Sequence, residues 1–516
     1  MPRNFDETIV VACLEAWDHD DTPVTHYFSD KGFVTNAASN PPHYWMPPRL
    51  REAGGFSRRA FARGVSGRAE SSFGRLVLEN ADGALNALTG HAFDGRPVTV
   101  WTGTRGAVFP DAFTNVLAAQ VKAVKLSRGQ ALEFTLGAAL AALDKPPSQV
   151  RYLGNNVLPN GVEGVEEDLK DKLKPLVFGK VRNAEPILVN TTRHIYQVSH
   201  SPAQIDEVYS AGNPLVKNTA HSSLNDLLDN LYAGGGEYDV YEGPDGAYFR
   251  LGFNPGVPLT FDATGLDSTA TVPVSMLKDV FQAVAGHAGV PQIESTYIDE
   301  LSSASVGLFL GMAETKLSEL FNKLAASGGA AWWVDGLGKI RLFKLREPET
   351  PIWTVTETEA LNASATLEGP TGGGIPAKGI DVAYAPIEHT QDETDLAAVV
   401  SLARRNELKE ENRHVIDEDA AVAARHLAAQ LLPVDTRLQD EADAAELAAS
   451  LRALHGKLRV RAAIEVSLSG GVPADLEVGE TIAVTLPRLS LEATPMLVVG
   501  LDSRPAKNRL KLDLWA

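Results

Sequence analysis

Ala131-Leu132-Glu133-Phe134-Thr135-Leu136 and Arg509-Leu510-Lys511-Leu512-Asp513-Leu514-Trp515 are two short passages that read alike. In each, large apolar residues fall on every second position, the period that turns one face of a strand to a core and the other to water. Around the first lie further β-rich runs: Leu76-Val77-Leu78, Val98-Thr99-Val100-Trp101 and Val121-Lys122-Ala123-Val124-Lys125-Leu126. In the last of these Val121, Ala123 and Val124 do not alternate cleanly. Asp82-Gly83, Asp94-Gly95 and Ser127-Arg128-Gly129 place turns between the runs. Strands at this spacing predict a barrel or sandwich over residues 1–150.

The second passage closes another strand-rich stretch. Leu458 to Leu468, Thr481 to Leu486, Pro495 to Leu501 and Arg509 to Trp515 are strand candidates in a segment spanning 349–516. Two helices precede them. Asp417-Glu418-Asp419 supplies acids before an Ala-rich run through Leu432 that Pro433 ends, and Glu441 to His455 stops at Gly456. Residues 151–265 are broken by Asn155-Asn156, Pro159-Asn160-Gly161, Gly234-Gly235-Gly236 and Gly243-Pro244-Asp245-Gly246, with strands such as Ile187-Leu188-Val189 and Tyr248-Phe249-Arg250-Leu251 between them. This reads as a β-rich inserted domain.

Residues 266–348 read as mixed α/β. Val274 to Ala285 and Ser318 to Ala326 have helical apolar spacing, and Ala331 to Leu342 forms a hairpin turning at Asp335-Gly336. The expected class is mainly β with α+β parts, in several domains, as 516 residues allow. Gly 44 and Pro 30 agree with many turns. No internal repeat is visible in the residues.

Lys+Arg 47 against Asp+Glu 66 gives a net charge of −19, which argues against a phosphate-binding surface as the main function. Solubility accounts for such acidity; so does the lining of a channel that an anion must traverse without sticking. The single cysteine, Cys13, rules out an intrachain disulfide or a Cys-based zinc or iron–sulfur site within one chain, and its apolar neighbours Ile9 to Leu14 predict a buried small side chain. The passage Met1-Pro2-Arg3-Asn4-Phe5-Asp6-Glu7 lacks a signal-peptide pattern, and no stretch reaches the length of a membrane span. Folding in a cytoplasm without an export signal is the expectation.

Catalytic patterns are absent: there is no His-Glu-x-x-His, no phosphate loop of the G-x-x-x-x-G-K type and no G-x-S-x-G elbow. Gly372-Gly373-Gly374 is Pro-flanked and does not join a strand to a helix. Asp299-Glu300 and Glu166-Glu167-Asp168 are the acidic pairs a glycosidase would need, but each reads as a solvated face. Asn80-Ala81-Asp82-Gly83 opens like a calcium loop yet lacks the later oxygen donors, so a hairpin turn is expected there. The twelve histidines are scattered. Tyr27, Tyr44 and Trp45, among Pro41-Pro42 and Pro47-Pro48, suit either a sugar-stacking surface or a rigid aromatic subunit contact. Thus no catalytic, cofactor-binding or metal-binding residue is expected, and no cofactor.

Three stretches together resemble the hub proteins of tailed-phage tail tips and baseplates, a family also found in tail-derived particles such as gene transfer agents. The first contains Tyr27-Phe28-Ser29-Asp30-Lys31-Gly32-Phe33 and then Gly74 to Asn86, similar to a "G-x-x-x-L-x-N-x-D-G-x-L-D" passage, followed by Asp94-Gly95-Arg96-Pro97-Val98. Asn86 stands where the family often has Asp. The second runs from Lys174 to Pro186, similar to "K-P-x-x-x-G-x-x-x-N-x-x-P", and continues in Tyr248-Phe249-Arg250-Leu251-Gly252 and Leu259 to Gly265. The third is Leu476-Glu477-Val478-Gly479-Glu480-Thr481-Ile482-Ala483-Val484 through Trp515.

The resemblance implies two tube-like β-barrel domains near the termini, in 1–150 and 349–516, with domains inserted between them. It further implies a homotrimeric ring that joins the sixfold tail tube to the threefold tip of a siphophage-like virion, and that lines the DNA-exit channel. Its partners would be the distal tail or tube-end protein, the tape-measure protein and central tip or receptor-binding fibre proteins. DNA would pass without specific binding, and assembly would take place in the host cytoplasm. An iron–sulfur cluster, where such tails hold one, would belong to a neighbour. The alternatives are a receptor-binding or a cell-wall-degrading, glycoside hydrolase-like tail protein.

Overall fold

A computed structural model describes residues 8–61, 65–127, 130–138, 140–370, 373–468, 470–473, 476–504 and 507–516. The passage Met1 to Glu7, Arg128-Gly129 of one expected turn, and Gly372 lie outside the described residues. Strands hold 43% of the chain and helices 16%, so the class is mainly β with α+β parts. The chain divides into two compact units, one of Met1–Ala141, Ala331–Pro376 and Lys457–Ala516, the other of Ala142–Ala330 and Ala377–Gly456.

The first unit contains two large sheets. Sheet A uses β1 (Thr8–Trp17), β2 (Pro23–Ser29), β3 (Leu50–Ala53), β5 (Arg75–Glu79), β6 (Pro97–Thr104), β7 (Thr114–Ser127) and β8 (Ala131–Ala138), in the order β2-β1-β6-β7-β8-β5-β3. Between β3 and β5 the chain makes β4 (Phe56–Arg59), which leaves sheet A and joins sheet B. Sheet B uses β9 (Trp353–Thr356), β10 (Ala360–Glu368), β11 (Arg459–Ser467), β12 (Thr481–Leu486), β13 (Leu491–Arg504) and β14 (Arg509–Trp515), in the order β9-β12-β13-β14-β11-β10.

The two sheets repeat one plan. Numbered by their own sequence order, and with β2 set aside, both run 1-4-5-6-3-2. The irregularities repeat as well. A bulge interrupts β7–β8 between Val121 and Ala123, and another interrupts β13–β14 between Val498 and Gly500. A second bulge, between Leu50 and Glu52 on β3, has its counterpart between Ala360 and Asn362 on β10.

The backbone bonds flanking the central strand match too. Gly95 N donates to Val121 O at 2.9 Å and Val121 N to Arg96 O at 3.0 Å; Gly479 N donates to Val498 O at 2.8 Å and Val498 N to Glu480 O at 2.8 Å. The passages that read alike occupy equivalent places, with Leu132, Phe134 and Leu136 corresponding to Leu510, Leu512 and Leu514, all buried. Only the first strand differs in sense, since β1 is antiparallel to β6 whereas β9 is parallel to β12.

β4 pairs antiparallel with β13, from Arg59 opposite Gly500 to Phe56 opposite Ser503. Gly500 permits this approach, because a Cβ there would lie 2.9 Å from the Arg58 carbonyl oxygen. Gly500→Val is expected to lower stability by about 2 kcal/mol through overpacking. It should also raise hydrogen exchange at the β4 amides, and unchanged β4 protection would contradict this account of the seam.

In the second unit, two five-stranded sheets form a sandwich. One is led by Leu176–Ala184, Ala203–Ser210 and Leu259–Gly265, the other by Ile195–Ser199, Glu237–Gly243 and Gly246–Leu251. Their facing side chains, among them Val181, Val198, Ile205, Val240, Phe249 and Phe261, make one buried core. Helices Leu277–His287 and Leu317–Ser327 meet through stacked Phe281 and Phe321, with ring centroids 4.5 Å apart. The first begins later than its apolar spacing suggests, because Met276 forms a bridge with Ser305 and remains 47% exposed.

Two sequence expectations are corrected here. The Ala-rich run is not one helix: Asp417-Glu418 ends strand Arg413–Glu418, a short helix covers Ala420–Arg425, and Pro433 sits in strand Leu431–Asp435. Both strands pair with Gly379–Tyr384. Asn80 to Gly83 does not turn a hairpin, since β5 neighbours β8 and β3 and not the following β6. The expected hairpin does turn at Asp335-Gly336, where Asp335 Oδ1 accepts from Leu337 N and Lys339 N at 2.8 and 2.9 Å.

Candidate subunit interface

The motif residues hold the backbone together locally. Asn80, fully buried, donates from Nδ2 to Asn86 Oδ1 at 2.8 Å and accepts from Leu85 N at 2.8 Å, tying the loop that leads into the 3-10 turn Asn86–Gly90. Asn86 thus serves as an acceptor, a role an Asp at this position could also fill. Asn183 is likewise buried; its N donates to Asp262 at 2.7 Å, its Nδ2 donates to His389 O at 2.6 Å, and its Oδ1 accepts from Thr260 at 2.8 Å. These contacts close strand ends and build no reactive centre.

The acidic pairs lie apart. Glu166, Glu167 and Asp168 occupy the exposed first turn of Glu166–Leu169, where Glu166 pairs with Lys170, whose hydrogen bond holds its carboxyl below the usual range. Asp299 pairs with Lys278 at 3.7 Å. Gly373 and Gly374 form a loop turn. Among the described residues no group of three His, Cys, Asp or Glu is placed to hold a metal, and no helix is long and apolar enough to cross a membrane.

One polar constellation gave no sequence signal. His221 lies between two carboxylates, with Nδ1 3.1 Å from Asp226 and Nε2 3.5 Å from Asp239. Asp239, fully buried, also accepts from Thr219, Tyr232 and Ala233 backbone nitrogens. The imidazole has no solvent exposure, and the cluster fastens the Tyr232-Ala233 backbone to strand Glu237–Gly243. Its members fall within Thr219–Asp239 but match no motif spacing.

The first unit does present unfilled surfaces. Tyr27 stands edge-on to Tyr44 and to Phe109, at 5.4 and 6.3 Å, over the buried cluster of Ile9, Val11, Cys13, Phe33 and Met46. Beside it the ribbon Phe33–Val34 with Trp45–Met46 leaves Val34 and Trp45 more than half exposed, side by side. The sequence-singled aromatics therefore divide: Tyr27 belongs to the wall of the core, and Trp45 faces out. On sheet B, β10 is a nine-residue terminal strand with Leu361 and Leu367 exposed. On sheet A, the far half of β7 exposes Val124 and Leu126. Long edges bearing apolar side chains invite pairing with another chain.

Charge is unevenly divided. The first unit holds 26 Lys and Arg against 27 Asp and Glu, and the second holds 21 against 39, so −18 of the net −19 lies in the second. The duplicated sheets are nearly neutral, which removes the chain's overall acidity as a reason to expect an anionic lining on them.

No family model and no curated protein matches the chain. Its structural neighbours are prophage tail proteins and a gene transfer agent virion. A 43 kDa tail protein of prophage MuSo2 from Shewanella oneidensis is similar over 98% of this chain and 97% of its own, with 9% identity and a TM-score of 0.41. A tail protein from Neisseria meningitidis MC58 is similar over 98% and 96%, with 10% identity and a TM-score of 0.39. A chain in the virion of a native gene transfer agent particle is similar over 67% and 84%, with 14% identity and a TM-score of 0.42.

Proposed function

We propose that this chain is the structural hub of a phage tail tip or baseplate, or of a related tail-derived particle, and that it acts as a homotrimer without catalysing a reaction. In this reading the sheets of 1–150 and of 349–516 are two tube-like domains, and the regions 151–265 and 266–348 are insertions. Three copies surround a DNA-exit channel. They meet the sixfold tail tube on one side and a threefold tip on the other. The partners are the tube-end protein, the tape-measure protein and the central tip or fibre proteins, within a virion assembled in the host cytoplasm.

One observation supports this reading above the others. The same six-strand plan, with the same two bulges, is built once near each end of the chain. Three such chains supply six like sheets in a closed cyclic arrangement, which reconciles sixfold with threefold symmetry. A hub also needs no reactive centre, in keeping with motif residues that only fasten loops and strand ends.

Light scattering on the full chain, followed by electron microscopy of the assembled species, is expected to give a trimer whose ring has six similar lobes. A monomer at every concentration, or a ring of another order, would overturn the reading.

A further inference from the structure

We infer that the open edge of β10 in one copy of the chain pairs with the Ala123–Leu126 edge of β7 in the next copy, repeating between chains the junction that β4 makes with β13 within one. This rests on the hub reading and names the surface that would close its ring.

The long strand β13 is used in two halves. Its first half pairs with β12 from Leu491 to Leu497, and Gly500–Ser503 then receives β4. β4 reaches it directly from β3, the outermost strand of sheet A, across Gly54-Gly55. Sheet A therefore supplies a strand to the long strand of sheet B.

The shared bulges locate the corresponding parts of the other junction. With Val121 matched to Val498, Ala123–Leu126 of β7 stands where Gly500–Ser503 stands on β13. β7 pairs with β6 only as far as Gln120. Beyond that, Ala123–Leu126 has β8 on one side and, among the described residues, no backbone partner on the other. Val124 and Leu126 are 37% and 42% exposed, and Lys122 and Lys125 beside them are exposed as well.

With Ala53 matched to Ala363 through the second bulge, β10 takes the place of β3 and β4 together. It does not bend away. It pairs with β11 from Ala360 to Glu368 and, among the described residues, with no other strand, leaving Leu361 51% and Leu367 62% exposed. The chain thus keeps one unfilled long-strand edge and one unused outer strand, the two kinds of element that mate inside it.

Charge distinguishes the free pair from the filled one. Inside the chain, basic β4 meets an acidic rim: Arg58 pairs with Glu477, and Arg59 with Asp513. On the free edge the positions matched to Glu477 and Asp513 are Phe93 and Thr135, and Glu368 of β10, paired with Arg461 of its own sheet, stands where β4 has Arg58. The free edge thus lacks the acids that hold β4, and β10 lacks the arginines that meet them, so neither suits a second β4 or a second β13 rim. A contact joining two different surfaces of identical chains closes into a ring when its rotation allows, and closure would cover both edges.

The test uses the full chain carrying Lys125→Cys and Leu367→Cys, which the copied register sets opposite one another on one face of the junction, treated with a short bismaleimide crosslinker. The native Cys13 does not interfere, being buried and pushed up to about 12 by that burial. The expected result is a covalent ladder ending at three chains, absent from either single variant. Leu126→Asp should weaken trimer formation by roughly tenfold or more with an unchanged circular dichroism spectrum. A trimer that gives no ladder and is indifferent to Leu126→Asp overturns the strand junction and leaves the hub reading intact. A chain that never forms a trimer overturns both.

Discussion

Gly179→Ala is expected to lower the stability of the second unit by about 3 to 4 kcal/mol, from overpacking together with left-handed backbone strain. Gly179 has a φ of +71° within strand Leu176–Ala184 and lies opposite Gly307. A Cβ on Gly179 would fall 2.0 Å from the Val306 carbonyl oxygen, and one on Gly307 would fall 1.8 Å from the Lys180 carbonyl oxygen. Two backbones approach here at a distance that excludes any side chain, and Lys180 N donates to Val306 O at 2.9 Å across the gap. Urea unfolding should show a lower midpoint, and the Gly307→Ala variant should behave alike. If both variants unfold like the parent chain, the two strands do not approach so closely in solution. The "K-P-x-x-x-G" glycine of the hub resemblance thereby acquires a physical reason.

Arg461→Met should cost about 3 kcal/mol by leaving carboxylates short of a partner in a largely buried site. Arg461 is 8% exposed. Its Nε and Nη2 donate to the two oxygens of Asp513 at 2.7 and 2.8 Å, and its Nη1 donates to Glu368 at 2.6 Å. One guanidinium thus ties β11 to both of its neighbours, β14 and β10. Adding Glu368→Leu to Arg461→Met should recover much of the loss, since Asp513 keeps Arg59 while Glu368, whose cation is Arg461, is the carboxylate left stranded. Thermal melts of the two variants decide the matter: equal melting of the single variant and the parent would remove the network from any structural account.

Much of the fold could be read from residues whose side chains repeat with the backbone. Leu510, Leu512 and Leu514 alternate because one face of β14 is buried, and Glu441 to His455 is helical with the bounds its composition suggests. Even the failed alternation at Val121, Ala123 and Val124 carried information, for a bulge there shifts the register by one residue. The Ala-rich run misled because pairing on both sides of Gly379–Tyr384 outweighs helix propensity, and Pro433 is tolerated because its strand is an edge. The duplication was hidden for a different reason. It resides in strand order and bulge position, which many apolar sequences satisfy, and the shared residues are few and dispersed, among them Gly95 with Gly479, Val121 with Val498, and Leu132 and Leu136 with Leu510 and Leu514. The unfilled edges were equally illegible, since whether Val124 or Leu367 is covered depends on neighbours that local sequence does not name.

The pairing of β4 with β13 also sets a timetable for the newborn chain. All of sheet A lies within the first 138 residues, so it can form while translation continues. β4 must then wait until a segment about 440 residues further along has emerged, roughly 20 to 90 s at ordinary bacterial elongation rates. Throughout that interval an arginine-rich strand is held out beside a finished sheet with its proper neighbour not yet made. On a crowded polysome, β4 of each nascent chain is then a site for mispairing with its siblings, and shielding by a chaperone would matter most until Gly500–Ser503 emerges from the ribosome.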